Sequence, residues 1–122
     1  MNPKQFLQVG GVILLLLGIV GFLLPDLLGS TLYFDQSENI AHTVLGVVAL
    51  VLAPLALGDL KKWIVVLVGL IALYFGVAGF LVSENPAPNW YGVTNLEMLD
   101  NVLHLVIGVW ALVAAFGKGS MM

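Results

Sequence analysis

The run Asn39-Ile40-Ala41-His42-Thr43-Val44-Leu45-Gly46-Val47-Val48-Ala49-Leu50-Val51-Leu52-Ala53 decides how this chain folds, because the chain repeats it. At an offset of 62 stands Asn101-Val102-Leu103-His104-Leu105-Val106-Ile107-Gly108-Val109-Trp110-Ala111-Leu112-Val113-Ala114-Ala115. Chance matches of Leu and Val are expected between any two apolar segments, whereas Asn, His and Gly matched in the same order mark an internal repeat. In each copy Asn, His, Gly, Ala and Ala advance by three and four residues and so line one stripe of a helix. Beyond Thr43 in the first copy and His104 in the second, each run is apolar to its end.

Working outward, the whole chain shares this character. It has 122 residues, enough for one domain, with 61% apolar and only 9% charged residues. Soluble domains carry roughly 25% charged residues, and so few charges cannot clothe a water-soluble fold. Lipid is the solvent that such a surface suits. A spanning helix needs roughly 20 apolar residues, and four runs qualify: about Phe6 to Leu24, Ile40 to Gly58, Trp63 to Val82 and Met98 to Phe116. The first is longer than the apolar part of a signal peptide and has no small-x-small cleavage site before Pro25 and Asp26, so it is read as a retained helix. The expected fold class is an all-α integral membrane protein, one domain of four transmembrane helices.

The other two spans repeat as well. At an offset of 58, Lys4, Gly11, Ile13, Leu15, Gly18, Gly21, Phe22 and Leu23 recur as Lys62, Gly69, Ile71, Leu73, Gly76, Gly79, Phe80 and Leu81. The chain therefore reads as two tandem helix hairpins, about 1–58 and 59–122, related by a pseudo-two-fold axis along the membrane normal. The larger second offset places four extra residues in the second outer loop, near Asn85-Pro86-Ala87-Pro88. Gly11, Gly18 and Gly21, with their copies, give the first and third spans faces on which helices approach closely.

Lys4, Lys61, Lys62 and Lys118 fall on one side of this topology, which the positive-inside rule makes cytoplasmic, with both termini. Tyr33, Phe34, Trp90 and Tyr91 would form an outer aromatic belt, and Trp63 an inner one. A net charge of −3 without arginine excludes nucleic acid as a partner, and the absence of cysteine excludes disulfides and thiolate chemistry. Thr94-Asn95-Leu96-Glu97 has the spacing of a capping box for the fourth helix, and Asp35 is the candidate cap of the second. Glu38, Glu97 and Asp100 suit the positive ends of helix dipoles and are expected to be mainly structural. Pro54 should kink or end the second span. Trp110 is expected to face lipid or another subunit.

The chemistry on offer is narrow. Glu38, Asn39, Asp100 and Asn101 make a polar cluster at the outer ends of spans two and four, with His42 and His104 one to two turns inside. Ionisable residues at membrane depth are candidates for function. Three roles stay open. The Asn and His pairs can lock the helices through hydrogen bonds. His42 and His104 can be axial ligands of haem or a chlorophyll-type pigment, with Gly46 and Gly108 packing as flat surfaces beside the ligands. The acid-Asn-His cluster can pass protons or a small solute, although the inner halves of the spans carry no polar residues to continue a path. No nucleophile-base pair or local metal motif accompanies these residues, so neither a catalytic nor a metal site is expected.

Leu17-Gly18-Ile19-Val20-Gly21-Phe22, Glu38-Asn39-Ile40-Ala41-His42-Thr43-Val44-Leu45-Gly46 and Asp100-Asn101-Val102-Leu103-His104-Leu105-Val106-Ile107-Gly108 together resemble the bacterial membrane family catalogued as domain of unknown function 4383. The resemblance covers nearly the whole chain, and Asp100 to Gly108 is its most specific part. The chain departs from a uniform pattern in its short first outer loop and in carrying Glu38 where the second motif has Asp100. The resemblance implies four spans, a repeated Asn-x-x-His-x-x-x-Gly element and a bacterial membrane location, and it brings no established activity. The expectation is a non-enzymatic multi-pass protein in the bacterial cytoplasmic membrane or an internal photosynthetic membrane. It would act in the lipid bilayer as an accessory subunit among other membrane proteins, or as a homo-oligomer.

Overall fold

The computed structural model describes residues 2–24, 26, 35–86 and 88–117. Tyr33, Phe34 and Lys118, used above to orient the chain, lie outside the described residues. Four helices follow one another: α1 (Pro3–Leu23), α2 (Gln36–Leu52), α3 (Asp59–Leu81) and α4 (Met98–Phe116). Three of them, α1, α3 and α4, are long and apolar enough to cross a membrane, while α2 is an apolar helix of 17 residues.

Local chemistry sets the helix ends. Asn2 caps α1 with a capping box: its side chain accepts from the Gln5 N–H at 2.8 Å, and Gln5 accepts from the Asn2 N–H at 3.0 Å. Two backbone donors left over by the helix are thereby paired. Pro3 at the first helical position costs nothing, because its missing N–H would have been idle there. Asp35 caps α2 by accepting from the Glu38 N–H at 2.9 Å, so the helix begins four residues before the run expected from hydropathy. At its other end α2 stops at Leu52, because Pro54 has no N–H to continue the ladder. The freed carbonyl of Ala53 accepts from Lys61 Nζ at 2.7 Å, which ties the end of α2 to the first turn of α3. Lys61→Met should remove that bond and lower stability by about 0.5–1.5 kcal/mol. Thermal unfolding of the purified protein, followed by helical circular dichroism, checks this, and an unchanged midpoint would show the bond to be idle.

The capping box expected at Thr94 does not form. The N-cap of α4 is Glu97, with no side-chain bond to the helix. Thr94 is drawn instead to a charged acceptor far away in sequence: its hydroxyl donates to Asp35 Oδ2 at 2.7 Å. Residues 89–97 are folded tightly enough to permit this. Asn89 accepts from the Leu96 N–H at 2.8 Å and donates to the Leu96 carbonyl at 3.1 Å. Between these ends, Tyr91 and Gly92 take φ of 52° and 69°, and the Val93 N–H donates to the Trp90 carbonyl at 3.0 Å. Positive φ at both central residues is the signature of a primed two-residue turn, which glycine tolerates and tyrosine strains to adopt.

Packing is concentrated within two hairpins, α1 on α2 and α3 on α4, with lighter contacts of α1 to α3 and α4. Each hairpin closes along a seam where two glycines meet. A Cβ on Gly11 would lie 3.1 Å from the Gly46 carbonyl oxygen and 2.9 Å from Leu50 Cγ; a Cβ on Gly69 would lie 3.2 Å from the Gly108 carbonyl oxygen and 3.3 Å from Leu112 Cδ2. Gly46 faces Leu15 in the first hairpin as Gly108 faces Leu73 in the second. Further along the seam Gly18 meets Thr43, while Gly76 meets Leu105. Without a Cβ, backbones approach closely enough for dispersion to add up along the helix.

The hairpins join at one end through a small apolar core of Phe6, Leu7, Ala53, Val65, Ala111, Ala114 and Ala115. Trp110 packs edge-on against Phe6, with ring centroids 4.6 Å apart, so part of its ring is used inside the chain. At the same end Lys62 Nζ lies over the rings of Trp63 and Phe116. The opposite end is polar.

Candidate functional site

Where α2 and α4 begin, polar side chains are buried that would ordinarily face water. Glu38 and Asp100 are 8% and 6% exposed; Asn39 and Asn101 are 2% and 0% exposed. The Glu38 and Asp100 carboxyls lie near one another across the two hairpins. Asp35 and Glu97 lie close enough for their charges to act on this pair. One turn further along each helix, on the same face, stand His42 and His104. All four members of the expected polar cluster and both histidines therefore occupy one end of the bundle.

A loop covers this end. Asp35 accepts from Thr94 Oγ1 and, at 3.2 Å, from the Asn95 N–H, while Ser37 Oγ donates to the Val93 carbonyl at 2.8 Å. The segment after α3 is thus clasped to the first turn of α2. An aromatic series runs beneath it: Trp90 stands edge-on to Phe75 at 5.0 Å, and Phe75 lies tilted against the His104 ring at 5.9 Å. These rings fix one face of the His104 imidazole.

Several polar atoms here are buried without a hydrogen-bond partner, among them Asp100 Oδ2, Nδ1 of His42 and of His104, Thr43 Oγ1 and both side-chain polar atoms of Asn101. Such atoms are uncommon in folded proteins, and each calls for a reason. The Asn101 carboxamide is pressed onto Gly79, where an added Cβ would collide with its oxygen. Gly79 is thus the recess that admits Asn101.

Gly46 and Gly108 have a different setting from the one expected beside a flat macrocycle. A Cβ on Gly46 would lie 2.6 Å from the Leu15 backbone nitrogen, and one on Gly108 would lie 2.5 Å from Leu73 Cγ. Both glycine surfaces are filled by the neighbouring helix of their own hairpin. No group of three or more His, Cys, Asp or Glu side chains is arranged to hold a metal ion among the described residues.

Sequence reasoning identified Glu38, Asn39, His42, Asp100, Asn101 and His104, and it named Asp35 as a helix cap. It missed that Asp35 also holds Thr94 and Asn95, 59 and 60 residues away. It missed Thr43 and Phe75 too. The polar hydroxyl within an otherwise apolar run was the available signal for Thr43; nothing in the sequence singles out Phe75. No family model matches the chain, and no curated protein or solved structure matches it.

Proposed function

We propose that this chain is a non-enzymatic multi-pass membrane protein that works through helix contacts, as an accessory subunit of a larger membrane complex or as a homo-oligomer. The observation that carries this reading is the distribution of polarity. Large apolar side chains point outward from every helix: Leu16, Val51, Leu67 and Val106 are 56%, 57%, 58% and 58% exposed. Buried carboxyls and carboxamides lie inside. Water would penalise that arrangement on both counts, whereas lipid accepts the exterior. The glycine seams at Gly11/Gly46 and Gly69/Gly108 support two tandem copies of one hairpin. The lysines at the far end from Glu38 and Asp100 support cytoplasmic termini, in the bacterial cytoplasmic membrane or an internal photosynthetic membrane.

Purification in mild detergent is the test. A stoichiometric membrane partner or a homo-oligomer of defined mass is expected in the eluate, and a solitary monomer would overturn the proposal. An alkaline carbonate wash of the membranes should leave the chain in the pellet, and its release into the supernatant would remove the membrane reading altogether.

A further inference from the structure

We propose that the lysine-bearing end of the second hairpin binds one anionic phospholipid, its phosphate at Lys62 and an acyl chain along α4. This rests on the reading of the chain as membrane-embedded with that end cytoplasmic. Lys62 Nζ stands 4.7 Å from the centroid of the Phe116 ring and 5.6 Å from that of Trp63. The two rings meet edge-on, 6.1 Å apart. Ring faces are electron-rich, so they hold the ammonium where α3 and α4 adjoin without neutralising it. Among the described residues, no carboxylate pairs with it. The neighbouring Lys61 is already engaged at the Ala53 carbonyl, which leaves Lys62 to meet an anion from outside. Both rings are more than half exposed, so the ammonium they hold can be approached from the lipid side.

A groove continues from these rings. Phe116 lines an open cleft of about 410 Å³ together with Val109, Leu112, Val113 and Gly117. From Phe116 to Val109 it runs about 10 Å along α4 toward the middle of the helix. An apolar cleft with a cation at its cytoplasmic end has the polarity of a phospholipid, chain inward and phosphate at the interface. A zwitterionic headgroup brings its own cation and gains less from Lys62. The internal repeat supplies a comparison within the same chain. Val47, Leu50 and Val51 are the first-hairpin copies of Val109, Leu112 and Val113, and Lys4 is the copy of Lys62. Yet Gln5 stands in the place of Trp63, and Pro54 in the place of Phe116. Gln5 is spent in the capping box of α1, and Lys4 is exposed. The stripe and the lysine are thus present twice, whereas the rings that fix the lysine are present once. One lipid per chain follows.

Native mass spectrometry of the full chain, released from mild detergent containing phosphatidylglycerol and phosphatidylcholine of identical acyl chains, tests this. One phosphatidylglycerol per chain should stay bound, preferred over phosphatidylcholine by about fivefold, the worth of one interfacial lysine. Lys62→Gln should erase the preference, while Lys4→Gln, with the same loss of charge, should leave it intact. Val113→Trp, which fills the groove at an exposed position, should weaken phosphatidylglycerol binding without changing any charge. Inorganic phosphate should not displace the lipid, because it has no chain for the groove. Equal affinity for the two lipids in a helical wild-type sample would overturn the proposal, and this comparison needs no variant to fold. Equal losses in Lys4→Gln and Lys62→Gln would overturn it in favour of a diffuse effect of charge. Displacement by inorganic phosphate would reduce the site to an anion site, and a dimer carrying no lipid would give the groove to a second copy; either overturns it. A chain that stays in the carbonate-washed pellet yet shows no preference loses this proposal alone. A chain released into the supernatant loses the membrane reading first, and the lipid site with it.

Discussion

Gly46→Ala is expected to destabilise the first hairpin by about 1–3 kcal/mol, the usual range for forcing an extra methyl group into a closed interface. Two effects oppose each other. Alanine is about 1 kcal/mol better than glycine inside a helix, and on an open helix face that gain would decide the sign. Here the new methyl would meet backbone: Leu15 N at 2.6 Å, Gly11 O at 2.9 Å and Leu15 Cα at 3.0 Å. Backbone atoms cannot rotate aside, so α1 and α2 must separate along the seam and lose contacts on either side of it. The matched substitution Gly108→Ala should cost less. Its nearest obstacles, Leu73 Cγ and Cδ2 at 2.5 and 2.6 Å, belong to a side chain that can change rotamer, although Gly69 O remains at 3.0 Å. Denaturing-detergent titrations of both variants, read by helicity, provide the comparison. Equal losses, or a stabilised Gly46→Ala, would show that the two helices do not meet as described.

Asp35→Ala should be the most damaging polar substitution, at about 2–4 kcal/mol. A lost N-cap alone costs about 1 kcal/mol, and hydrogen bonds to a charged acceptor contribute about 1.5–3 kcal/mol. These losses do not add, because Asp35 serves the Glu38 N–H, Thr94 Oγ1 and the Asn95 N–H at once. Asp35→Asn should be milder, since Asn caps helices as well as Asp but gives up the charge-assisted part. A double-mutant cycle with Thr94→Val separates the contributions: a coupling between about 0.5 and 3 kcal/mol is expected for residues in direct contact. If Thr94→Val costs as much in the Asp35→Ala background as in the wild-type chain, the clasp between the hairpins does not exist.

How much of this was legible in the residues alone depends on how local the cause is. The bounds of α4 match the apolar run Met98 to Phe116, because nothing but hydropathy and helix length sets them. The bounds of α2 shifted at both ends for reasons that are still local, Asp35 at the start and Pro54 at the stop. The assignment of Asp35 as a cap was legible for the same reason. Thr94 was misread because the competitor for its hydroxyl sits 59 residues away, and no short pattern reveals a tertiary acceptor. Trp110 likewise finds Phe6 from the far end of the chain. The stripe of Asn, His and Gly could be placed on a shared helix face, since three- and four-residue spacing fixes one. It could not show that Gly46 and Gly108 are taken up by Leu15 and Leu73 rather than left beside the imidazoles, because that depends on where the other helix crosses.

The glycine seams also bear on how the molecule is made. Since each seam joins helices adjacent in the chain, the first pair can zip together as soon as it leaves the ribosome, before the second pair has been translated. Short sequence separation between partners keeps the loop-closure penalty small and pairing fast. What must wait for the last residues is the meeting of Asp100 with Glu38 and of Trp110 with Phe6, so the buried acids come together as the final act of assembly.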